Sequence, residues 1–303
     1  MLKAENLSVH FKKGLFKKKI KALDNFNLDV QKGDFFALIG QNGAGKSTAM
    51  YCFLGLIRPT GGNVEVFGET PKLGADTNAD VAYLPEEPHY HQYLTVEEAV
   101  TFYGSLYGKR VAQKKVLDTL DRLGMLEFRD LRVSKCSKGM KQKVGIAQCI
   151  MTKPRLIFLD EPTRGLDPII VKEFRDILVD LNKGGATIII NSHILSEIEM
   201  VANKVAIIDK GKVVVQDSIS NLVKSDTEVY TIEYGPNDSF IPGYISEVTE
   251  TERGIRGTMP SGNFHEFMDF AKGADVTVFE CSHKKKTLEE SYFNILKGNN
   301  KHA

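Results

Sequence analysis

A short apolar run, Phe35-Phe36-Ala37-Leu38-Ile39, feeds directly into Gly40-Gln41-Asn42-Gly43-Ala44-Gly45-Lys46-Ser47-Thr48, and a helical-looking segment follows to near Gly55. The run reads as a buried strand. Strand, GxxxxGK[ST] and helix in that order form a phosphate-binding P-loop. Its glycines let the backbone wrap closely, so that several N–H groups point inward at an anion. The helix that follows aims its positive N-terminus at the same point. Residues 40–48 are therefore the candidate nucleotide-binding residues. Lys46 supplies a point charge for β- and γ-phosphates, and Ser47 a hydroxyl for Mg²⁺.

A P-loop needs an acidic partner strand. Leu156-Ile157-Phe158-Leu159 ends in Asp160-Glu161, 114 residues beyond Lys46. Asp160, at the strand end, is placed to hold Mg²⁺ directly or through its waters. Glu161, one residue on, is placed to polarise the water that attacks a γ-phosphate. The pair predicts nucleotide hydrolysis on an α/β fold, a P-loop NTPase with a mainly parallel sheet.

What lies between and beyond these motifs narrows the class. Cys136-Ser137-Lys138-Gly139-Met140 stands 21 residues before Asp160, counted from Gly139. Pro162-Thr163-Arg164-Gly165-Leu166-Asp167-Pro168 follows, and Asn191-Ser192-His193 closes an apolar strand read over residues 186–190. In order and spacing these elements resemble the ATP-binding subunit of ABC transporters over nearly all of residues 1–220. The resemblance implies a dimer, homodimeric or formed with a similar ATPase. In it the signature residues Ser137, Lys138, Gly139 and Met140 meet ATP held by the partner subunit. Asp167 of the D-loop contacts the partner's site, although its position also suits a helix N-cap. His193 is the switch histidine, bridging γ-phosphate and catalytic carboxylate beside Glu161. Phe11 is the aromatic on which adenine stacks, with Phe16 its rival. Four positions depart from the pattern: Glu86 in Tyr83-Leu84-Pro85-Glu86 replaces a glutamine that ligates Mg²⁺, Lys138 replaces a glycine, Met140 a glutamine, and Arg164 an asparagine.

The remaining organisation follows the same resemblance. Residues 87–131 read as helices, opened by Thr95 with Glu98 three residues on, a capping box; a helical signature subdomain over about 87–150 is expected. Residues 86–93 lie where a transmembrane partner docks, and the cluster Tyr83, His89, Tyr90, His91 and Tyr93 reads as an aromatic interface, or else as packing inside the helical lobe. The first strands form an antiparallel β subdomain. Six lysines in residues 12–21 read as its hairpin tip, a solvated loop. Charge shifts near residue 220: 31 basic and 26 acidic residues precede it, 9 and 13 follow. The predicted domains are thus 1–220, ATP-binding, and 221–303, a small α+β accessory domain. Strands are read there at 228–234, 254–259 and 276–279, with helices at 264–271 and 287–293.

Composition limits the partners. With 40 basic against 39 acidic residues the net charge is +1, so no nucleic-acid partner is indicated. The longest apolar stretches are strand-sized, far short of the ~20 residues that span a bilayer. The start, Met1-Leu2-Lys3-Ala4-Glu5, reads as no secretory signal. Cys52, Cys136, Cys149 and Cys281 form no CxxC pair and read as reduced thiols. The expectation is an ATPase peripheral to the cytoplasmic face of the cell membrane. It uses ATP and Mg²⁺ and drives export through separate membrane permease subunits. The alternative is a non-transport ABC ATPase acting on a ribosome or DNA.

Overall fold

The computed structural model describes residues 1–13, 18–72, 80–106, 111–224, 229–236, 240–274, 276–283 and 286–299. It divides into two compact units, Met1–Ile219 with Ile295–Ala303, and Ser220–Asn294.

The first unit opens with a long hairpin, β1 (Leu2–Lys13) and β2 (Lys18–Val30). It continues through β3 (Phe35–Ile39), α1 (Lys46–Phe53), β4 (Gly61–Val66) and β5 (Val81–Leu84). Three helices follow, α2 (Val96–Ser105), α3 (Gln113–Arg122) and α4 (Lys138–Ile150). Then come β6 (Leu156–Asp160), α5 (Pro168–Lys183), β7 (Thr187–Asn191), α6 (Leu195–Val201), β8 (Lys204–Asp209) and β9 (Lys212–Ser218). Strands β1, β2 and β4 form an antiparallel sheet in the order β2-β1-β4. The larger sheet runs β5-β6-β7-β3-β8-β9, with only β9 antiparallel to its neighbour. β3, β6 and β7 are buried at every residue, which is why they read as unbroken apolar runs rather than alternating ones. A shared core joins the two sheets through α1. The Phe53 ring lies 6.4 Å from that of Phe26 in β2 and 6.2 Å from that of Phe158 in β6.

Helices α2, α3 and α4 pack on one another, and α4 also packs on β5. The predicted capping box is present, with Thr95 Oγ1 accepting from the Glu98 amide at 3.2 Å and Glu98 Oε2 from the Thr95 amide at 2.8 Å. Helix does not extend back to residue 87, however; Pro88 and the turns up to Leu94 precede it. The lysine-rich stretch lies on the hairpin, where Lys12 pairs with Lys19 and Lys13 with Lys18. Its tip, Phe16 included, falls outside the described residues.

The chain continues through α7 (Ile219–Leu222) into the second unit. This holds β10 (Val229–Gly235), β11 (Ser246–Glu250), β12 (Ile255–Pro260), α8 (Phe264–Gly273), β13 (Thr277–His283) and the start of α9 (Leu288–Asn299). An antiparallel sheet ordered β11-β12-β10-β13 carries its own core of Ile232, Tyr234, Ile255, Met259 and Phe267. Strand β11, Ser-Glu-Val-Thr-Glu and exposed throughout, had no apolar alternation to betray it. All four cysteines are free thiols, and burial pushes Cys52 up to about 11 and Cys149 up to about 12.

Candidate functional site

The loop after β3 turns on Gly45. Its φ of 109° suits glycine alone, and a Cβ there would stand 2.6 Å from the Ala22 carbonyl oxygen. α1 begins at the next residue, so its free amides face the loop. Lys46 is buried and donates to the carbonyls of Gly40 at 2.7 Å and Gln41 at 3.1 Å. Gly40 and Gln41 thus act through their backbone, as does Ala44, whose amide donates back to Gln41 at 3.0 Å. Burial pulls the Lys46 ammonium below the usual lysine range, against the opposing charges of Glu161 and Asp160.

Parallel pairing of β6 with β7 sets Asp160 beside Asn191. Asn191 Nδ2 donates to Asp160 Oδ1 at 2.5 Å and stands 3.5 Å from Ser47 Oγ, linking the two motifs. Burial raises the Asp160 carboxyl above its ordinary range. The Asn191 and Ser47 hydrogen bonds oppose that shift, and the charges of Glu161 and Glu86 add to it. The chain then bends sharply. Glu161 adopts a φ of 45°, left-handed and strained for a side chain with a Cβ, and its amide donates to the Asn191 carbonyl at 2.8 Å. Its Oε2 lies 2.6 Å from His193 Nδ1.

One cleft of about 250 Å³ collects these groups. Asn42, Gly43, Gly45, Lys46, Ser47, Thr48, Glu86, Asp160 and Glu161 line it, joined by Ile20, Lys21, Ala22, Arg164 and Asn191. Its oxygens are of the hydroxyl and carboxylate kind that suits a hard cation such as Mg²⁺. Three carboxylates, Glu86, Asp160 and Glu161, line it beside the Ser47 hydroxyl, so a divalent cation fits. Among the described residues no three His, Cys, Asp or Glu side chains form a metal cage unaided.

Some expected residues sit elsewhere. Phe11 is 41% exposed and does not line the cleft. It pairs with Ile20, which does, so the expected adenine platform stands one strand further out on the same ladder face. Ser137, Lys138, Gly139 and Met140 open α4 outside the cleft. Ser137 N-caps the helix by accepting from the Met140 amide at 3.2 Å, and buried Gly139 faces Ile170. Asp167 is exposed and N-caps α5, accepting from the amides of Ile169 and Ile170. Tyr90 corrects the aromatic-interface reading. It is 7% exposed, edge-on to Tyr103 at 5.1 Å, and its hydroxyl would lie 2.9 Å from any Cβ at Gly145 in α4. It belongs to the core of the helical lobe. His91 and Tyr93 remain at the surface, their rings stacked at 5.4 Å, with half-exposed Phe102 alongside His91.

The sequence reading gave no role to Asn191 or Arg164. Asn191 was within reach as the residue two before His193, whereas nothing local in sequence marks Arg164 as the partner of Glu86.

Comparison with known proteins agrees with this geometry. A family profile described as ABC transporter matches residues 23–164. An uncharacterized ABC transporter ATP-binding protein of Synechocystis is 30% identical over 283 residues, spanning 92% of this chain and 79% of that protein. The bacitracin transport ATP-binding protein BcrA of Bacillus licheniformis is 39% identical over 207 residues, 67% of each chain. Among solved structures, a dimeric post-hydrolysis state of the ATP-binding cassette MJ0796 bound to ADP and Pi aligns with a TM-score of 0.66. It is 25% identical and covers 72% of this chain and 98% of that one.

Proposed function

The chain belongs to the ABC transporter family of ATP-binding subunits, and we propose that residues 40–48, Asp160, Glu161 and His193 carry its ATPase reaction. The contact of 2.6 Å between Glu161 Oε2 and His193 Nδ1, at a cleft floored by Lys46 and Ser47, is the observation that carries this reading. Loop amides and the α1 N-terminus cradle the phosphates, and Lys46 turns from the Gly40 and Gln41 carbonyls to the β- and γ-phosphates. Ser47 and Asp160, with Glu86 at the rim, would hold Mg²⁺, which when bound supplies positive charge between phosphate oxygens. Glu161 accepts a proton from the attacking water, and His193 fixes the carboxylate that does so. Asn191 holds Asp160 and Ser47 in register. Adenine extends from the cleft across Ile20 toward Phe11.

The working unit is a dimer, of two copies or with a similar ATPase. Exposed Ser137, Lys138 and Asp167 lie outside their own cleft, on a surface that would meet nucleotide on a second subunit. The dimeric cassette among the structural neighbours supports this. No described helix is long and apolar enough to cross a membrane, so permease subunits would supply the path, with this chain peripheral at the cytoplasmic face. Relatives named for transport, BcrA among them, favour that role over a ribosome- or DNA-directed one. The direction proposed is export, resting on the Tyr83-Leu84-Pro85-Glu86 segment, the short helical lobe and the extension beyond residue 220.

Glu161→Gln tests the reading by size-exclusion chromatography. With ATP and Mg²⁺ the variant should elute as a stable dimer, and with ADP as the wild type does. A variant that stays monomeric while binding ATP normally overturns the assignment of Glu161.

A further inference from the structure

Three of the four departures from the family pattern, at residues 86, 138 and 164, are far apart in sequence and touch in space. The Arg164 guanidinium forms an ion pair with the Glu86 carboxylate, and both side chains line the nucleotide cleft. Lys138 Nζ donates to the Arg164 carbonyl at 2.6 Å. Gln142, one helical turn beyond Lys138 and 1% exposed, donates from Nε2 to the Glu86 carbonyl at 2.8 Å. Residues i and i+4 share a helix face. One face of α4 therefore grips both backbones whose side chains make the ion pair. The Arg164 amide donates to the Glu161 carbonyl at 3.2 Å, which ties this assembly to the catalytic turn.

Charge explains why the three belong together. Replacing a neutral glutamine by Glu86 puts a third carboxylate beside Asp160 and Glu161 in a cleft that must admit a polyanion. An uncompensated charge there repels the phosphates. Arg164 stands where it cancels that charge, and Lys138 holds its loop in place.

We propose that Arg164 is a positioning residue that neutralises and restrains Glu86, so that the cleft accepts ATP ahead of the divalent cation. This rests on the nucleotide reading above. The ion pair is partly exposed, with side chains 54% and 36% accessible, so its effect is moderate and salt-dependent.

The test measures ATP affinity, not turnover, by titrating a fluorescent ATP analogue in EDTA and again in excess Mg²⁺ at low salt. Arg164→Asn should weaken binding in EDTA by about fivefold, the upper range for a partly exposed pair. Excess Mg²⁺ should shrink that deficit, because the cation takes over the charge of Glu86. Glu86→Gln alone should bind in EDTA at least as tightly as the wild type. The double variant Arg164→Asn/Glu86→Gln should recover most of the loss, and Arg164→Lys should retain most of the affinity. Equal losses with and without Mg²⁺, or a double variant no better than Arg164→Asn, would make Arg164 a mere loop-packing residue and overturn the proposal. A wild-type chain that binds no ATP analogue in either buffer overturns the nucleotide reading itself.

Discussion

Asp160 concentrates the electrostatics of the site. Buried at the end of β6 with Glu161 next in chain, it holds its proton more tightly than a free carboxyl does. A carboxyl raised in the folded state costs stability at pH values above its folded pKa. The cost fades as pH falls toward the unfolded value near 3.9. Asp160→Asn keeps an oxygen for Asn191 to donate to and removes the charge. Without nucleotide, the variant should therefore melt above the wild type at pH 8, and the gap should close as pH is lowered toward the unfolded value near 3.9. A gap that widens on acidification would place the buried charge elsewhere. The same variant should lose Mg²⁺-dependent tightening of ATP binding. Sequence exposed this group readily, because an apolar strand ending in two acids is a local pattern. Asn191 and Arg164 were not readable in that way. Their roles arise from partners 31 and 78 residues distant, which only the parallel sheet and the α4 face bring near.

Among the elements, the strands of the large sheet were legible because burial on both faces writes a continuous apolar run. The segment before α2 was not. It has no helical or alternating period, so nothing in the sequence separated the buried ring of Tyr90 from the exposed ring of Tyr93. The structure separates them and changes what each substitution should do. Tyr90→Ala removes a ring packed on Tyr103 and against Gly145, and should destabilise the lobe by about 3 kcal/mol. Tyr93→Ala, at 69% exposure, should cost less than about 0.5 kcal/mol. Urea unfolding of the two variants reads the difference directly. Equal stabilities would mean the Tyr90 ring is not core. If residues 86–93 dock a membrane subunit, exposed His89, His91 and Tyr93 are its rings left to do it, with Phe102 of α2 beside His91.

Among the described residues, each of the two units carries a core of its own. Residues 1–219 hold the P-loop, the acidic strand, the signature helix and the switch histidine around two joined sheets. Residues 220–294 close a separate four-stranded sheet over Phe267, and no role in phosphate chemistry is proposed for them. In the first unit, Glu161, held by His193, is proposed to activate water against ATP seated on Lys46. Phosphate release measured on the wild type, Glu161→Gln and His193→Ala, with ATP affinity measured on the same preparations, tests it most directly. Glu161→Gln should keep ATP affinity and lose turnover by about 10²-fold or more, the range of a general base, with His193→Ala also impaired. Turnover in Glu161→Gln within twofold of the wild type would contradict it.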